Sequence, residues 1–310
     1  MTTITLDTDF SPVTLDDVDC IRAHLMCANY EESNHNLVNL YLWQAYYPLW
    51  KCLDEHALIL MGLHEGRFFI YMPLCESQYF EAAVLKAKAI FDRYRIPFVM
   101  SCYVERMKDR VLALLPGFEA ISHRESADYV YDAEKLRTLS GKKLQKRRNH
   151  YNSFIKDYEG RFEYIEMNAS NALDCLPFLE IWKEDSEDEF LRYEKAGTAF
   201  ILKHFSLFAA KGGIIRVDGR IEAFVVGSVL SDRMIQLNIE KANTEFRGIY
   251  QVLERTFLSR EFLEAEFVNK EDDIGNEQIR AAKMAYYPCD LISKFWIAKG
   301  ENDDTTSIAG

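Results

Sequence analysis

FVVGSVLSDRMIQLNIEKANTEFRGIYQVLERTFLSREFLEAEFVNKEDD, residues Phe224 to Asp273, decides the fold of this chain. Phe224 to Leu230 is a continuous apolar run with β-branched members, the pattern of a buried strand. Ser231-Asp232-Arg233 turns the chain. In Met234 to Glu240, Ile235, Leu237 and Ile239 share one face of a strand and Gln236, Asn238 and Glu240 the other. A polar loop, Lys241 to Arg247, leads to Gly248. From Ile249 the spacing is helical, through Val252, Leu253, Phe257, Leu258 and Phe262. Ala265 to Asn269 predicts a third strand, which ends in the charged knot Lys270-Glu271-Asp272-Asp273. A strand, a loop with a glycine and a helix start form a candidate phosphate or carboxylate site, because the first amides of a helix point outward unpaired.

The totals narrow the setting. A chain of 310 residues favours two domains. A net charge of −12 argues against general coating of nucleic acid, though not against one local basic patch. Seven cysteines, an odd number without C-x-x-C spacing, point to a reducing compartment rather than a disulfide framework. Met1 to Phe10 has no basic start and no apolar core of a signal peptide. No apolar run approaches the roughly 20 residues that span a bilayer. The expectation is a cytoplasmic protein.

Outward from the opening stretch, the pattern predicts helices over Leu15 to Ala28, with Thr14 as N-cap, and over Ser77 to Tyr94 and Glu105 to Leu115. Ala57 to Leu63 and Arg67 to Met72 read as a hairpin. Pro97 to Tyr103, Phe118 to Ser122 and Ala127 to Tyr131 read as strands. Leu37 to Trp50 is strongly aromatic, is interrupted by Pro48, and fits no single element. Leu136 to Tyr158 reads as one basic helix bridging two halves. In the second half come a strand Phe162 to Met167, a helix Leu173 to Lys183, an acidic loop Glu184 to Glu189, and a helix Phe190 to Ala210 closed by Gly212-Gly213. A hairpin through Asp218-Gly219 leads into the opening stretch. A helix Glu277 to Tyr286, a strand Leu291 to Ile297 and a disordered tail complete the chain. The expected domains are 1–135, a bridging helix 136–160, 161–300 and a tail 301–310.

The order β-α-α-β-β-β-α-β-α-β in the second half matches the GNAT-type N-acyltransferase fold, and the first half gives a looser version. The fold class is therefore α/β (α+β), two tandem GNAT-like domains, each a mixed sheet flanked by helices. Such a tandem resembles the Fem-type aminoacyltransferases. The second half is similar to the C-terminal domain of phosphatidylglycerol lysyltransferases and the bacterial proteins of unknown function grouped with it. Three runs carry the resemblance. The first is Leu139-Ser140-Gly141-Lys142-Lys143 with Lys146-Arg147-Arg148-Asn149-His150. The second is Asn238 to Asn243 before Gly248-Ile249-Tyr250-Gln251. The third is Val268 to Gly275 running to Arg280-Ala281-Ala282-Lys283. The resemblance covers most of the chain but does not fix a reaction. The lysyltransferases' membrane-spanning part has no counterpart in it.

Each candidate residue has a functional and a structural reading. Lys142, Lys143, Lys146, Arg147 and Arg148 can neutralise phosphates of a tRNA, a coenzyme A or a lipid head group, or simply solvate a bridging helix. Arg247 and Gly248 occupy the place of the GNAT phosphate loop. Tyr250 stands where that loop wants a small residue, which disfavours acyl-CoA and favours aminoacyl-tRNA as donor. Glu240 is the candidate for taking a proton or holding an ammonium, and Asn238 for bonding a carbonyl oxygen. Asn269, Glu271 and Asp272 suit a cationic substrate group, with Arg280 and Lys283 as anion partners; helix capping is the other reading, favoured for Asp273. No zinc spacing, nucleophile elbow or nucleotide-loop motif occurs, so no metal is expected. Tyr41 to Trp50 reads as core or inter-domain surface.

The functional expectation is transfer of an acyl or aminoacyl group, with aminoacyl-tRNA as possible donor, to an amine or hydroxyl acceptor such as a small molecule or lipid head group. The alternatives are a non-catalytic small-molecule or head-group binding protein on the same fold, and a coenzyme A-dependent N-acetyltransferase.

Overall fold

The computed structural model describes residues 9–102, 105–183 and 188–300. The strand end at Tyr103, most of the acidic loop (184–187) and the tail 301–310 lie outside these.

Two sheets organise the chain. The first runs in the order Ser11–Pro12, Leu49–Leu53, Ala57–His64, Arg67–Ile70, Met100–Cys102, Phe295–Lys299, Phe118–Ser122, with Leu74–Cys75 paired to Ala57–His64 off that path. In the second, β1 (Asp128–Asp132), β2 (Met234–Ala242) and β3 (Phe267–Asn269) lie in the order β1-β3-β2. Asp290–Ile292 flanks β1, and Arg220–Val229, Lys211–Val217 and Phe162–Met167 continue beyond β2. Each sheet is mixed: β2 pairs parallel with β3, and Arg67–Ile70 with Met100–Cys102.

Ala57–His64 is covered on both faces, which is why its sequence is a continuous apolar run rather than an alternation. Five helices concern the site: α1 (Leu37–Leu42), α2 (Gln145–Asp157), α3 (Glu189–Lys203), α4 (Ile249–Glu261) and α5 (Glu277–Met284). The stripe Val252, Leu253, Phe257 and Leu258 of α4 joins Val225, Leu237 and Val268 of the second sheet in one core. No described helix is long and apolar enough to cross a membrane.

Several boundaries differ from the sequence reading. The expected strand Leu291 to Ile297 is two, Asp290–Ile292 in the second sheet and Phe295–Lys299 in the first. Lys294 between them is 5% exposed and forces the break, because its ammonium has to reach Asp128 and Asp272 rather than stand on a strand face. The chain therefore interchanges strands: β1, from the first half, sits in the second sheet, and the last strand fills a place in the first.

The basic segment is not one helix. A short helix Ala133–Thr138 stops at Leu139, whose φ is +51°, and α2 starts only at Gln145. Arg148 turns back so that Nη1 donates to the carbonyls of Leu139 and Gly141, satisfying that helix end. The helix expected over Phe190 to Ala210 ends at Lys203. Gly212-Gly213 does not stop it but lies in the strand Lys211–Val217, where the ring of Tyr164 packs over Gly213. Leu37 to Trp50 resolves into α1 and the start of the strand Leu49–Leu53.

Candidate functional site

The parallel pairing of β2 with β3 covers only Met234 to Gln236 against Phe267 to Asn269. Beyond it the strands part, and the polar face of β2 opens toward the first half of the chain. The segment from Glu31 to Asn39 enters this gap. Asn238 Nδ2 donates to Asn36 Oδ1 at 2.9 Å and Asn39 Oδ1 at 3.2 Å, and its own Oδ1 accepts from Ser228 at 2.8 Å. Asn269 donates to the Glu31 carbonyl and to Asp128, both at 3.0 Å, and accepts the Glu271 amide at 2.7 Å. Both asparagines are thus joints between the halves, and Asn269 also fixes the backbone of Glu271.

Between the aromatic first half and the polar end of β3 lies a cavity of about 410 Å³. It is lined by the aromatic residues Trp43, Tyr47, Phe69 and Trp296, by Glu271, Asp272 and Lys283, and by Phe190, Leu191 and Glu194 of α3. The structure thus brings together three of the sequence's candidates, Glu271, Asp272 and Lys283. Glu271 has φ +60°, a conformation a non-glycine residue holds only when its surroundings impose it. Its carboxylate accepts from Gln236 Nε2 at 2.7 Å. Burial pushes that carboxyl up to about 7. Burial likewise raises Asp272, against the pull of Lys294, whose Nζ is 3.1 Å away. Lys294 also reaches Asp128 at 2.7 Å and Ser33 at 2.9 Å. Burial works to lower its pKa, but the two aspartates outweigh that and hold it above the ordinary lysine range. Lys283 is lowered by burial, with Glu271 and Asp272 opposing, and donates to the backbone carbonyls of Lys270 and Asp272.

The other candidates lie elsewhere. Glu240 pairs with Lys270 at 3.1 Å, and Lys270 also holds Glu254 at 3.0 Å beneath the ring of Tyr286. Burial and then Glu240 raise the Glu254 carboxyl, against Lys270. Tyr250 stands beside Glu240; burial, then that charge, pushes its phenol up to about 12. Arg280 makes a two-pronged pair with Asp273, both bonds 2.9 Å. Asp273 also accepts Tyr129 at 2.6 Å and the Gly275 amide at 3.0 Å, and these bonds overcome burial to bring it to about 2. Asp273 is therefore a loop anchor; the cap of α5 is Asn276, which accepts from the amides of Gln278 and Ile279.

The basic group is a separate surface. Lys142 and Lys143 lie in the loop before α2, and Lys146 and Arg147 on α2 itself. Lys143 lies over Tyr287 and Arg147 over Tyr286. Burial, then Arg247, Arg147 and Lys146, depress the His150 imidazole, so these cations converge on one spot. Gly248 has φ +95°, and a Cβ there would lie 2.2 Å from the His150 carbonyl oxygen. The glycine serves the close crossing of α2 over the first turn of α4. The loop before it uses its amides internally: Glu245 N bonds Asn243 Oδ1, Phe246 N the Asn243 carbonyl, and Ile249 N the Phe246 carbonyl.

Sequence reading missed Lys270, Glu254, Lys294 and Asp128, whose partners are distant in the chain. The hint available was a charged residue within an apolar run, as at Lys294 in Leu291 to Ile297. Among the described residues no group of His, Cys, Asp and Glu is arranged to hold a metal.

This architecture recurs in solved structures. A conserved protein of unknown function from Bacteroides thetaiotaomicron is 27% identical, with TM-score 0.87, over 94% of this chain and 99% of that one. L-PGS from Bacillus licheniformis is 13% identical, with TM-score 0.69, over 94% of each chain. FemX is 8% identical, with TM-score 0.59, over 93% of this chain and 96% of that one. The last two show a shared fold, the tandem GNAT-like arrangement. An uncharacterised protein of Mycoplasmoides gallisepticum is 30% identical over 189 residues, 57% of this chain, and the match spans 58% of that relative's length. The gap between β2 and β3, the basic segment and the cavity all fall within residues 27–298, which match the model of the family described as phosphatidylglycerol lysyltransferase, C-terminal, and the chain belongs to that family.

Proposed function

We propose that this protein is an aminoacyltransferase that moves an aminoacyl group from aminoacyl-tRNA to an amine or hydroxyl acceptor, with the reacting ester held in the cavity beside Glu271. The observation that carries this reading is a partly buried carboxyl near 7 at the end of a parted strand pair, lining a cavity. A carboxyl so poised takes a proton at neutral pH more effectively than an ordinary glutamate. The acceptor's nitrogen or oxygen forms a bond to the ester carbon as its proton passes to Glu271. The carbon–oxygen bond to the tRNA ribose then breaks, and the ribose oxygen leaves as a hydroxyl after taking that proton. Glu240, engaged by Lys270, acts in this reading as a support of the strand gap rather than as the base.

The cations around His150 supply the surface for donor phosphates. A coenzyme A donor is disfavoured, because the GNAT pyrophosphate place at Gly248 is filled by the backbone of α2. The name of the family suggests a phospholipid head group as one acceptor, and a hydroxyl-bearing head group fits the chemistry written above.

The test is single-turnover release of a labelled aminoacyl group from tRNA, alongside binding of charged tRNA, uncharged tRNA and an acyl-CoA across a salt series. Preference for charged tRNA, with release slowed about 10²–10⁴-fold in Glu271→Gln, is the expected result. Tight acyl-CoA binding without tRNA preference defeats the proposal.

A further inference from the structure

Glu271 is clasped from two neighbouring strands. Gln236 is the last residue of β2 in the parallel pairing, and its partner in register on β3 is Asn269. Asn269 Oδ1 accepts the Glu271 amide at 2.7 Å, and Gln236 Nε2 donates to the Glu271 carboxylate at 2.7 Å. One side-chain amide thus fixes the backbone of Glu271 and the other its carboxylate, at the point where the strands part. Between them they hold a residue whose φ is +60°.

As packing alone, Gln236 is a poor choice. Its side chain is fully buried and its Oε1 has no hydrogen-bond partner. Among the described residues the bond to Glu271 is the only one that side chain makes. A buried polar atom left unmatched destabilises a fold, whereas an apolar side chain of similar shape does not. The gain lies at the other end of the amide, where an N–H supports the ionised form of a carboxyl that burial disfavours. Lys283 of α5 acts on that carboxyl in the same direction, and Asp272 acts against it. Lys241, near the end of β2, also feels the carboxylate but pairs with Glu194 of α3. α1 carries no charge and presents Asn39, a second neutral amide. Lys283 is bonded to the carbonyls of Lys270 and Asp272, whereas Gln236 reaches the carboxylate directly.

We infer that Gln236 is a positioning residue for the transfer: its buried amide, set where β2 and β3 part, holds the Glu271 carboxylate ready at the cavity at a cost to the fold. This role rests on the aminoacyl reading above, in which Glu271 takes the acceptor's proton. Without the N–H the ionised form loses a partner, so the carboxyl stays protonated to higher pH and less of it acts as a base near neutrality.

Gln236→Met keeps the length of the side chain and removes both polar atoms. Full-length protein with isotope-labelled glutamate carboxyls is titrated by NMR, with Glu271→Gln identifying the Glu271 signal. Single-turnover release of a labelled aminoacyl group from tRNA is followed over the same pH range. In Gln236→Met the Glu271 midpoint is expected to rise by about one pH unit or more, and the low-pH limb of the release profile to move up with it. The melting temperature at pH 5 is expected to be unchanged or higher. A midpoint that does not move in the folded variant overturns the inference and leaves the aminoacyl reading standing. A midpoint that moves while the release profile stays in place shows that Glu271 is not the base, and overturns the role in transfer. No release by the unmutated protein defeats the aminoacyl reading itself, and the titration still shows whether Gln236 sets the state of Glu271. Gln236→Leu, apolar and of similar volume, carries the same expectations. If neither variant folds, Gln236 is a packing residue and the inference is overturned.

Discussion

Glu271 shows what a single residue costs and provides. Its carboxyl titrates near 7 in the folded protein and near the ordinary 4.5 when unfolded. Between those values the folded state binds the extra proton, so the group's contribution to stability falls as pH rises from about 4.5 through 7. Glu271→Gln removes that dependence. The variant is expected to gain melting temperature relative to wild type at pH 8 and to lose the gain near pH 5; equal shifts at both pH values would show that Glu271 titrates normally. Gly248 is a second single-residue constraint. Gly248→Ala combines a left-handed backbone with a clash against the His150 carbonyl that neither backbone can relieve. A loss of roughly 2–4 kcal/mol in denaturant unfolding is expected; a loss below about 1 kcal/mol would mean that α2 can move away.

At the scale of elements, the basic segment divides its labour. Lys142, Lys143 and Lys146 are exposed, whereas Arg148 is bonded back onto the loop at Leu139 and Gly141. Replacing the three lysines by alanine should lower tRNA affinity and flatten its salt dependence, the slope falling by about 0.7–0.9 for each phosphate no longer neutralised, with melting unchanged. Arg148→Ala should do the reverse, lowering melting temperature with little change in salt slope. An unchanged slope in the triple variant would move the RNA surface elsewhere. Sequence patterning located these elements well wherever they were local: the hairpin at Asp218-Gly219, the polar face of β2 and the helical stripe of α4 all follow from spacing alone. It failed where distant partners decide. Leu139 ends a helix because Arg148 caps it, and Asn238 reads as a free polar residue until Asn36 and Asn39 arrive from the other end of the chain. Glu271, Asp272 and Lys283 are legible as charges at a strand end, but the aromatic residues lining the same cavity are not, because the region of α1 and Phe295–Lys299 meet only in three dimensions.

At the scale of the whole molecule, Lys294 lies in the link between the strand Asp290–Ile292 of the second sheet and Phe295–Lys299 of the first, and Asp128 on β1 and Asp272 at the cavity hold it there. Its ammonium is buried, so removing it leaves two carboxylates uncompensated. Lys294→Met is expected to destabilise the protein by roughly 3–5 kcal/mol, read from urea unfolding followed both by tryptophan fluorescence and by circular dichroism. The two signals should still coincide, because each sheet contains a strand from the other half. Two separated transitions would show that the sheets unfold independently.

The strand interchange also sets a timetable. A ribosome delivers the first sheet with a vacant place between Met100–Cys102 and Phe118–Ser122, and the strand that fills it, Phe295–Lys299, is made after the other described strands of both sheets. Until it emerges, two strand edges lie open to pairing with neighbouring nascent chains on the same message. Completion of the first sheet thus waits until the strands of the second sheet have been made, and a chain halted anywhere before residue 295 is marked by that open seam as unfinished.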